Sequence, residues 1–466
     1  MSRSTWQALS TTTLLIGMIG AGLWYADGVI SVALLGESFS SVVIGSVLGP
    51  IVSGRLWDKE AKRTYYRIPH NDVRFEAPKA TSRDIDVNGW PAILCAVILG
   101  TIGVLSFIIQ PGIVQGYVTK LQVSEGVAVN LAGVEMLGVA LATVFMAVWG
   151  TRINWRWVVA CGLVIAALGD IASIGAPLGG RFELARFVAG LGEGAITSIS
   201  FTFVGVTIRA ERNLALYLTL LLTYGAFGLW YLPAFLDTHG LDAMFGAFAV
   251  LSLASLGTLP FLPHAYSADE MVNPEARQLP TALLVIALAG VLAYNIAQGI
   301  AWAVLFLVGI GAGLGEQQVA DALFLSQILA VGGALASVFL AGRISRNGAI
   351  AFGILAGAAS IALLIGKPSL TLFVVGVCGF NVLWNFVLPF ILGRVCDFDE
   401  SGRMMSFAIM MQMIGLGGGP LIAGQLLDGS GYRSAELLCV ALFIVSYALL
   451  LIPIRKHQAL SAVPAI

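Results

Sequence analysis

Four charged residues stand inside stretches otherwise too apolar to carry charge: Glu135 in GVEMLG, Asp170 in LGDIAS, Arg186 in ARFVAG and Glu193 in GLGEG. An acid at the centre of a membrane helix costs roughly 2.5–3.5 kcal/mol on insertion scales, so the three carboxylates together cost roughly 8–10 kcal/mol. A charge kept at that cost is expected to bind a proton or to pair with another charge. Arg186 and Glu193 share a helix face, but at a rise of 1.5 Å per residue they stand about 10 Å apart, too far for a direct pair. Arg186 is therefore expected to pair with Asp170 or Glu135 on a neighbouring helix. That leaves Glu193 free to titrate as the first candidate for proton coupling, with Glu135 second. The opposing reading has Arg186 reaching outward beside Glu183 while Asp170 merely completes a helix end. No charge of comparable depth is expected in the second half of the chain, where Glu316 and Asp321 sit at the outer mouth of a span.

Polar and aromatic residues recur at helical spacing in three later segments. Tyr294, Asn295, Gln298 and Trp302 form one stripe, and Asn381, Trp384, Asn385 and Pro389 a second. Tyr217, Tyr224 and Tyr231 follow one another at heptad spacing. Amides in lipid need partners, and a ligand between helices would supply them. Aromatic rings beside them suit an organic molecule with a flat or apolar part. Tyr224, Tyr294, Asn295, Gln298, Trp302, Asn381, Trp384 and Asn385 are thus the candidate cavity lining. Two alternatives stay open: amides that lock one helix to another, and Trp230 and Tyr231 as an interfacial aromatic belt.

The elements that must position these residues are membrane helices. The chain has 466 residues, 58% hydrophobic and 11% charged, with a mean hydropathy of +0.90. A soluble protein carries about a quarter charged residues. A net charge of −1 gives no footprint for nucleic acid. The five cysteines show neither CxxC spacing nor a disulfide frame, and the four histidines fall in polar connections, so no metal, cofactor or histidine relay is expected. A span needs ~20 mostly apolar residues. Twelve are read from Trp90 onward: 91–113, 128–149, 157–176, 183–207, 214–236, 242–263, 281–308, 318–341, 349–366, 369–393, 404–427 and 433–454. The polar stretch 264–280 divides them six and six. The expected domains are a six-helix half over 90–263, a central cytoplasmic loop over 264–280, a second half over 281–455 and a tail over 456–466. Lys and Arg concentrate in one set of loops, which places both ends of this core in the cytoplasm. Residues 1–89 are extra: an apolar hairpin followed by a basic cytoplasmic tether. Two spans there would give fourteen in all, though a single span or a re-entrant hairpin also fits.

Six plus six helices about a long central loop resemble the major facilitator superfamily. The specific match is ARFVAGLGEGA (185–195), where Arg186, Gly190 and Gly194 follow the family's R-x-x-x-G-x-x-x-G pattern. The family's signature loop between the second and third helices is eroded in the core, at WGTRINWRW (149–157), and again at AGRISRNGA (341–349). It is better matched ahead of the core, by Gly54, Asp58, Lys59, Lys62 and Arg63 in GRLWDKEAKR. Residues 11–63 thus resemble a duplicated first-and-second-helix pair. The resemblance implies an all-α polytopic membrane protein that moves a small organic molecule by alternating access. The buried acids point to proton coupling, with uptake favoured over efflux. Expected partners are protons, that small molecule and the lipid bilayer, for a monomer in a bacterial inner membrane. The competing readings are a drug/proton antiporter and a non-transporting assembly factor or receptor on the same fold. No nucleophile–base set, metal spacing or phosphate loop points to an enzyme.

Overall fold

A computed structural model describes residues 87–149, 153–205, 207, 210–263, 279–399 and 403–461. The predicted front hairpin and its loop residues Gly54, Asp58, Lys59, Lys62 and Arg63 lie outside the described residues. Thirteen α-helices follow one another: α1 (Trp90–Ile102), α2 (Leu105–Ile108), α3 (Gln110–Leu121), α4 (Glu125–Trp149), α5 (Trp155–Ser173), α6 (Gly180–Gly205), α7 (Ala210–Ser255), α8 (Thr281–Gly311), α9 (Glu316–Leu340), α10 (Arg346–Ala362), α11 (Leu370–Cys396), α12 (Arg403–Ser430) and α13 (Tyr432–Ser461). Among the described residues, nine helices are long and apolar enough to cross a membrane. The protein is a multi-pass membrane protein.

Two elements differ from expectation, each for a local reason. The fifth and sixth predicted spans form one 46-residue helix, α7. Straight, it would be ~70 Å long, against a hydrocarbon core of ~30 Å. It reverses at Gly240, whose φ of 76° and ψ of 179° only glycine adopts without strain. The first predicted span, 91–113, runs instead from Trp90 to Leu121 in three pieces, α1, α2 and α3. Val104 and Ile109 leave helical geometry, and Pro111 sits in the first turn of α3. Proline fits a first turn but carries no N–H, so the carbonyl of Phe107, four residues back, loses its helical donor. With α1–α3 as one passage and α7 as two, six passages precede α8 and six follow from it.

Within the first half, α6 is the post against which α4 and α5 pack. Its glycines make the contact close. A Cβ at Gly190 would collide with the carbonyl of Glu135, and one at Gly194 with that of Val139, both on α4. Gly138 of α4 meets the backbone of α6 in return. Gly192 turns the other way, onto Gly162 and Ala166 of α5. The hydrophobic effect does not drive helices together in lipid, so such small-residue contacts supply the packing. The halves meet through α4 against α12 and the first part of α7 against α9. Polar bonds join them at the end predicted to face outward, between Gln115 Nε2 and Glu316 Oε1 (2.8 Å) and between the Tyr432 hydroxyl and Glu125.

Gly190→Ala is expected to destabilise the protein by about 1–3 kcal/mol, the range for overpacking, because the obstructing atom is backbone. Gly332→Ala, at a site with open space around it, is expected to leave stability unchanged. Thermal unfolding of both variants in detergent tests this.

Candidate functional site

The close approach of α4, α5 and α6 brings Arg186 against two acids. Its Nη1 donates to Asp170 Oδ1 at 2.8 Å, and Nε donates to Glu135 Oε2 at 3.2 Å. Nη2 donates to Glu135 Oε1, which makes that contact two-pronged. Nη1 also reaches Ser173 Oγ at 3.4 Å. The guanidinium is fully buried and its carbon lies 4.7 Å from the centre of the Phe245 ring. Arg186 does not reach outward beside Glu183. The planar fork of arginine suits this site, since one face of donors serves Glu135 while another serves Asp170.

Glu193 lies two turns further along α6 and is 3% exposed. Among the described residues it has no cation within ion-pair distance, but it does have a hydrogen-bond donor. The Ser106 hydroxyl approaches both of its oxygens, at 3.0 and 2.8 Å. Ser106 belongs to α2, the middle piece of the broken first passage. That passage needs outside partners because its breaks leave backbone carbonyls without helical donors. Thr197 Oγ1 of α6 donates to the carbonyl of Gly103 at 2.7 Å. The Tyr224 hydroxyl of α7 donates to that of Leu105 at 3.1 Å. Trp302 Nε1 of α8 donates to that of Phe107 at 2.8 Å, the carbonyl that Pro111 leaves without its donor. The last bond crosses from one half to the other.

Aromatic rings from both halves gather at the same place. Trp384 of α11 stands edge-on to Phe107 at 6.3 Å between centroids and to Trp302 at 6.2 Å. Gln298 lies one turn before Trp302, buried, with its carbonyl oxygen unbonded, and Gln110 of α3 and Gln327 of α9 share that condition. Tyr224, Trp302 and Trp384, drawn from three separate stripes, meet the broken passage at Leu105 and Phe107.

The other expected lining residues lie elsewhere. Tyr294 packs its ring against Phe443 of α13 at 5.5 Å and accepts from Gln298 Nε2. Asn295 bonds back to its own helix at Val291 and faces Gly415 of α12. Asn381 donates to Ser326 of α9 at 2.9 Å, and Asn385 to the Asn381 carbonyl on its own helix. In these packings Asn295 and Asn381 lie between helices within the second half. The tyrosines of α7 do not share an environment either: Tyr217 is buried beside Gly100, and Tyr231 is 53% exposed. The second half also holds a buried acid near a span end that the sequence reading did not single out, Glu436 of α13, 3% exposed.

Sequence reasoning missed Ser106, Phe107 and Thr197. The signal for the first two was Pro111, read only as part of an apolar run. The eroded loops hold structure through other groups. Asn154 caps α5 through the N–H of Arg156, and Arg156 Nε donates to the Leu262 carbonyl at 2.6 Å. In the second half, Arg346 and Arg394 both pair with Asp397, and Arg394 also donates to Asn347.

Arg186→Ala is expected to cost about 3–5 kcal/mol, since it leaves two buried carboxylates without a cation. Arg186→Lys is expected to recover only part of that, because a point charge cannot serve both acids in the same geometry. Replacing Glu135, Asp170 and Arg186 together by leucine is expected to restore folding better than Arg186→Ala alone. Folded yield and thermal stability in detergent check all three.

No protein-family model matches the sequence, and no curated protein does. Solved structures do match. The crystal structure of D-xylose-proton symporter superposes with a TM-score of 0.60, at 13% identity, over 78% of this chain and 96% of that one. A partially occluded inward open conformation of the xylose transporter XylE from E. coli gives the same values. Its inward open conformation gives 0.60 at 12% identity, over 77% and 94%. At that identity the likeness concerns the fold alone: the described helices are arranged as in these structures.

Proposed function

We propose that this protein is a secondary active transporter that moves a small organic molecule together with protons, by alternating access between its two halves. The observation that carries this reading is the position of Glu193. It is a buried carboxylate without a cation, bonded to the broken passage at the point where that passage touches the other half. Discontinuous helices at the interface of two repeats are where transporters bind substrate and coupling ions. A proton on Glu193 changes what Ser106 can do, because one oxygen then becomes a donor and accepts less well. Ser106 and Phe107 are neighbours, so the change reaches the bond to Trp302 through one peptide unit. Arg186 is occupied by Glu135 and Asp170, which leaves Glu193 without a competing cation.

In this reading the ligand binds where Trp302, Trp384 and Phe107 meet once the halves part, and the unbonded carbonyl oxygens of Gln298, Gln110 and Gln327 are candidate acceptors for its hydrogen-bond donors. An organic molecule with a polar edge and an apolar face meets both demands. The structurally similar symporter carries D-xylose with protons, which supports symport here without supplying the substrate. The placement of Lys and Arg supports a cytoplasmic C-terminus; within this reading the direction is uptake, the membrane a bacterial inner membrane and the working unit a monomer.

The test is flux in liposomes that hold a pH dye, with panels of sugars, organic acids, aromatics and amphiphiles added outside. One compound is expected to drive a pH change in the wild type, and Glu193→Gln to reduce that change to the level of protein-free liposomes. Equal flux in both would remove Glu193 from the coupling step. In the same assay Ser106→Ala is expected to slow substrate-driven proton flux about tenfold, the loss of one hydrogen bond to a charged group. Trp302→Phe, which removes the donor to Phe107, is expected to leave proton leak without substrate coupling. Flux in Trp302→Phe that keeps the wild-type ratio of substrate to protons would refute that role.

A further inference from the structure

Glu436 has no part in the coupling scheme above, yet it is as buried as Glu193. It lies one turn into α13, facing α8 and α10. Its side chain opens on a narrow cleft of about 10 Å³, lined by Val304, Leu305 and Val308 of α8, by Ile361 and Leu364 at the end of α10, and by Cys439. Neither carboxyl oxygen has a hydrogen-bond partner. The polar group beside it is the backbone of Gly366, in the loop of residues 363–369, at a geometry short of a hydrogen bond. No lysine or arginine lines the cleft, and none of the ion pairs among the described residues includes Glu436. The facing stretches of α8 and α10 contribute only apolar side chains. On α13 itself the titratable neighbours are Cys439, whose thiol bonds to the Ala297 carbonyl, Tyr432, whose hydroxyl donates to Glu125, and Arg433, which is exposed; neither Arg433 nor Lys367, next to Gly366 in the loop, lines the cleft or pairs with Glu436.

Among the described residues an ionised carboxylate there has neither a paired cation nor a hydrogen-bond donor, and its burial would cost far more than that of the neutral acid. The inexpensive state is the one with a proton on it. We propose that Glu436 is a second intramembrane proton-binding site, in the half of the protein opposite Glu193, which keeps its proton while α8, α10 and α13 stay packed and releases it only when they part enough to admit water. This holds whether or not Glu193 couples transport.

Two measurements on the full chain in lipid vesicles test it. The first is the infrared difference between wild type and Glu436→Gln at neutral pH. A carboxylic-acid carbonyl band present in the wild type and lost in the variant is expected. The absence of such a band, with a carboxylate band lost instead, would overturn the proposal. The second needs no variant and decides the matter if Glu436→Gln does not fold. Dicyclohexylcarbodiimide adds to a protonated carboxyl in apolar surroundings: the acid hydrogen passes to one nitrogen, the acyl group ends on the other, and nothing is lost. Mass spectrometry of the digested protein is expected to find this adduct on the peptide that holds Glu436 after treatment at neutral pH. An adduct that forms there only in acid would show a carboxylate ionised at neutral pH and would count against the site. Glu193 lies on a different peptide, so failure at one position is read separately from failure at the other.

Discussion

A single guanidinium with no access to water organises the first half of this protein. Arg186 is bonded to Glu135 on one neighbouring helix and to Asp170 on another. Each bond requires the helices to come closer than ordinary side chains allow. Gly190 and Gly194 admit α4, and Gly162 and Gly192 admit α5. The charges and the glycines are therefore one device: the glycines permit the approach, and the triad makes any other arrangement of the three helices costly, since it would strand a charge in hydrocarbon. Fixing α6 in this way also fixes where its next two turns point, which is at the broken first passage.

That passage is the least self-sufficient element in the molecule. A membrane helix normally satisfies its own backbone, but α1–α3 depends on Thr197, Tyr224 and Trp302 for three of its carbonyls. These come from three different helices, one of them in the other half. An element held in that way has few internal bonds to break when its neighbours move. Under the transport function proposed above, it is suited to change shape as the halves move, while the glycine-packed triad beside it stays rigid. A stiff post and a hinged strand, joined by the bond from Ser106 to Glu193, give a local change of charge a route to the contact between halves.

Much of the site was legible in the residues themselves. The pairing of Arg186 followed from charge, helical rise and the cost of burial, without knowledge of which helices were neighbours. Trp302 and Gln298 stood out because polar groups in lipid require a partner. Asn295 and Asn381 met the same criterion and turned out to join helices within the second half. The criterion asks only that an amide find a partner, and a neighbouring helix serves as well as a ligand. Glu193 was read only in part. Its lack of a cation was foreseeable, but a serine supplied by a break in another helix was not, because helical periodicity assumes an unbroken helix. Glu436 was overlooked because it stands close to a span end, where an acid is ordinarily solvated.

The sequence alone determined that the chain spans a membrane many times and that Arg186 needs an acid. Composition, the length of apolar runs and the cost of a buried charge are properties of the chain, and no contact is needed to evaluate them. Only the tertiary structure decided which acid meets which base, that Ser106 answers Glu193, that Trp302 replaces the donor missing at Pro111, and that Glu436 faces an apolar cleft. Each of those depends on the distance between residues of different helices. That distance is set by side-chain volumes along every interface at once, by glycines as much as by charges, and no local pattern in the chain encodes it.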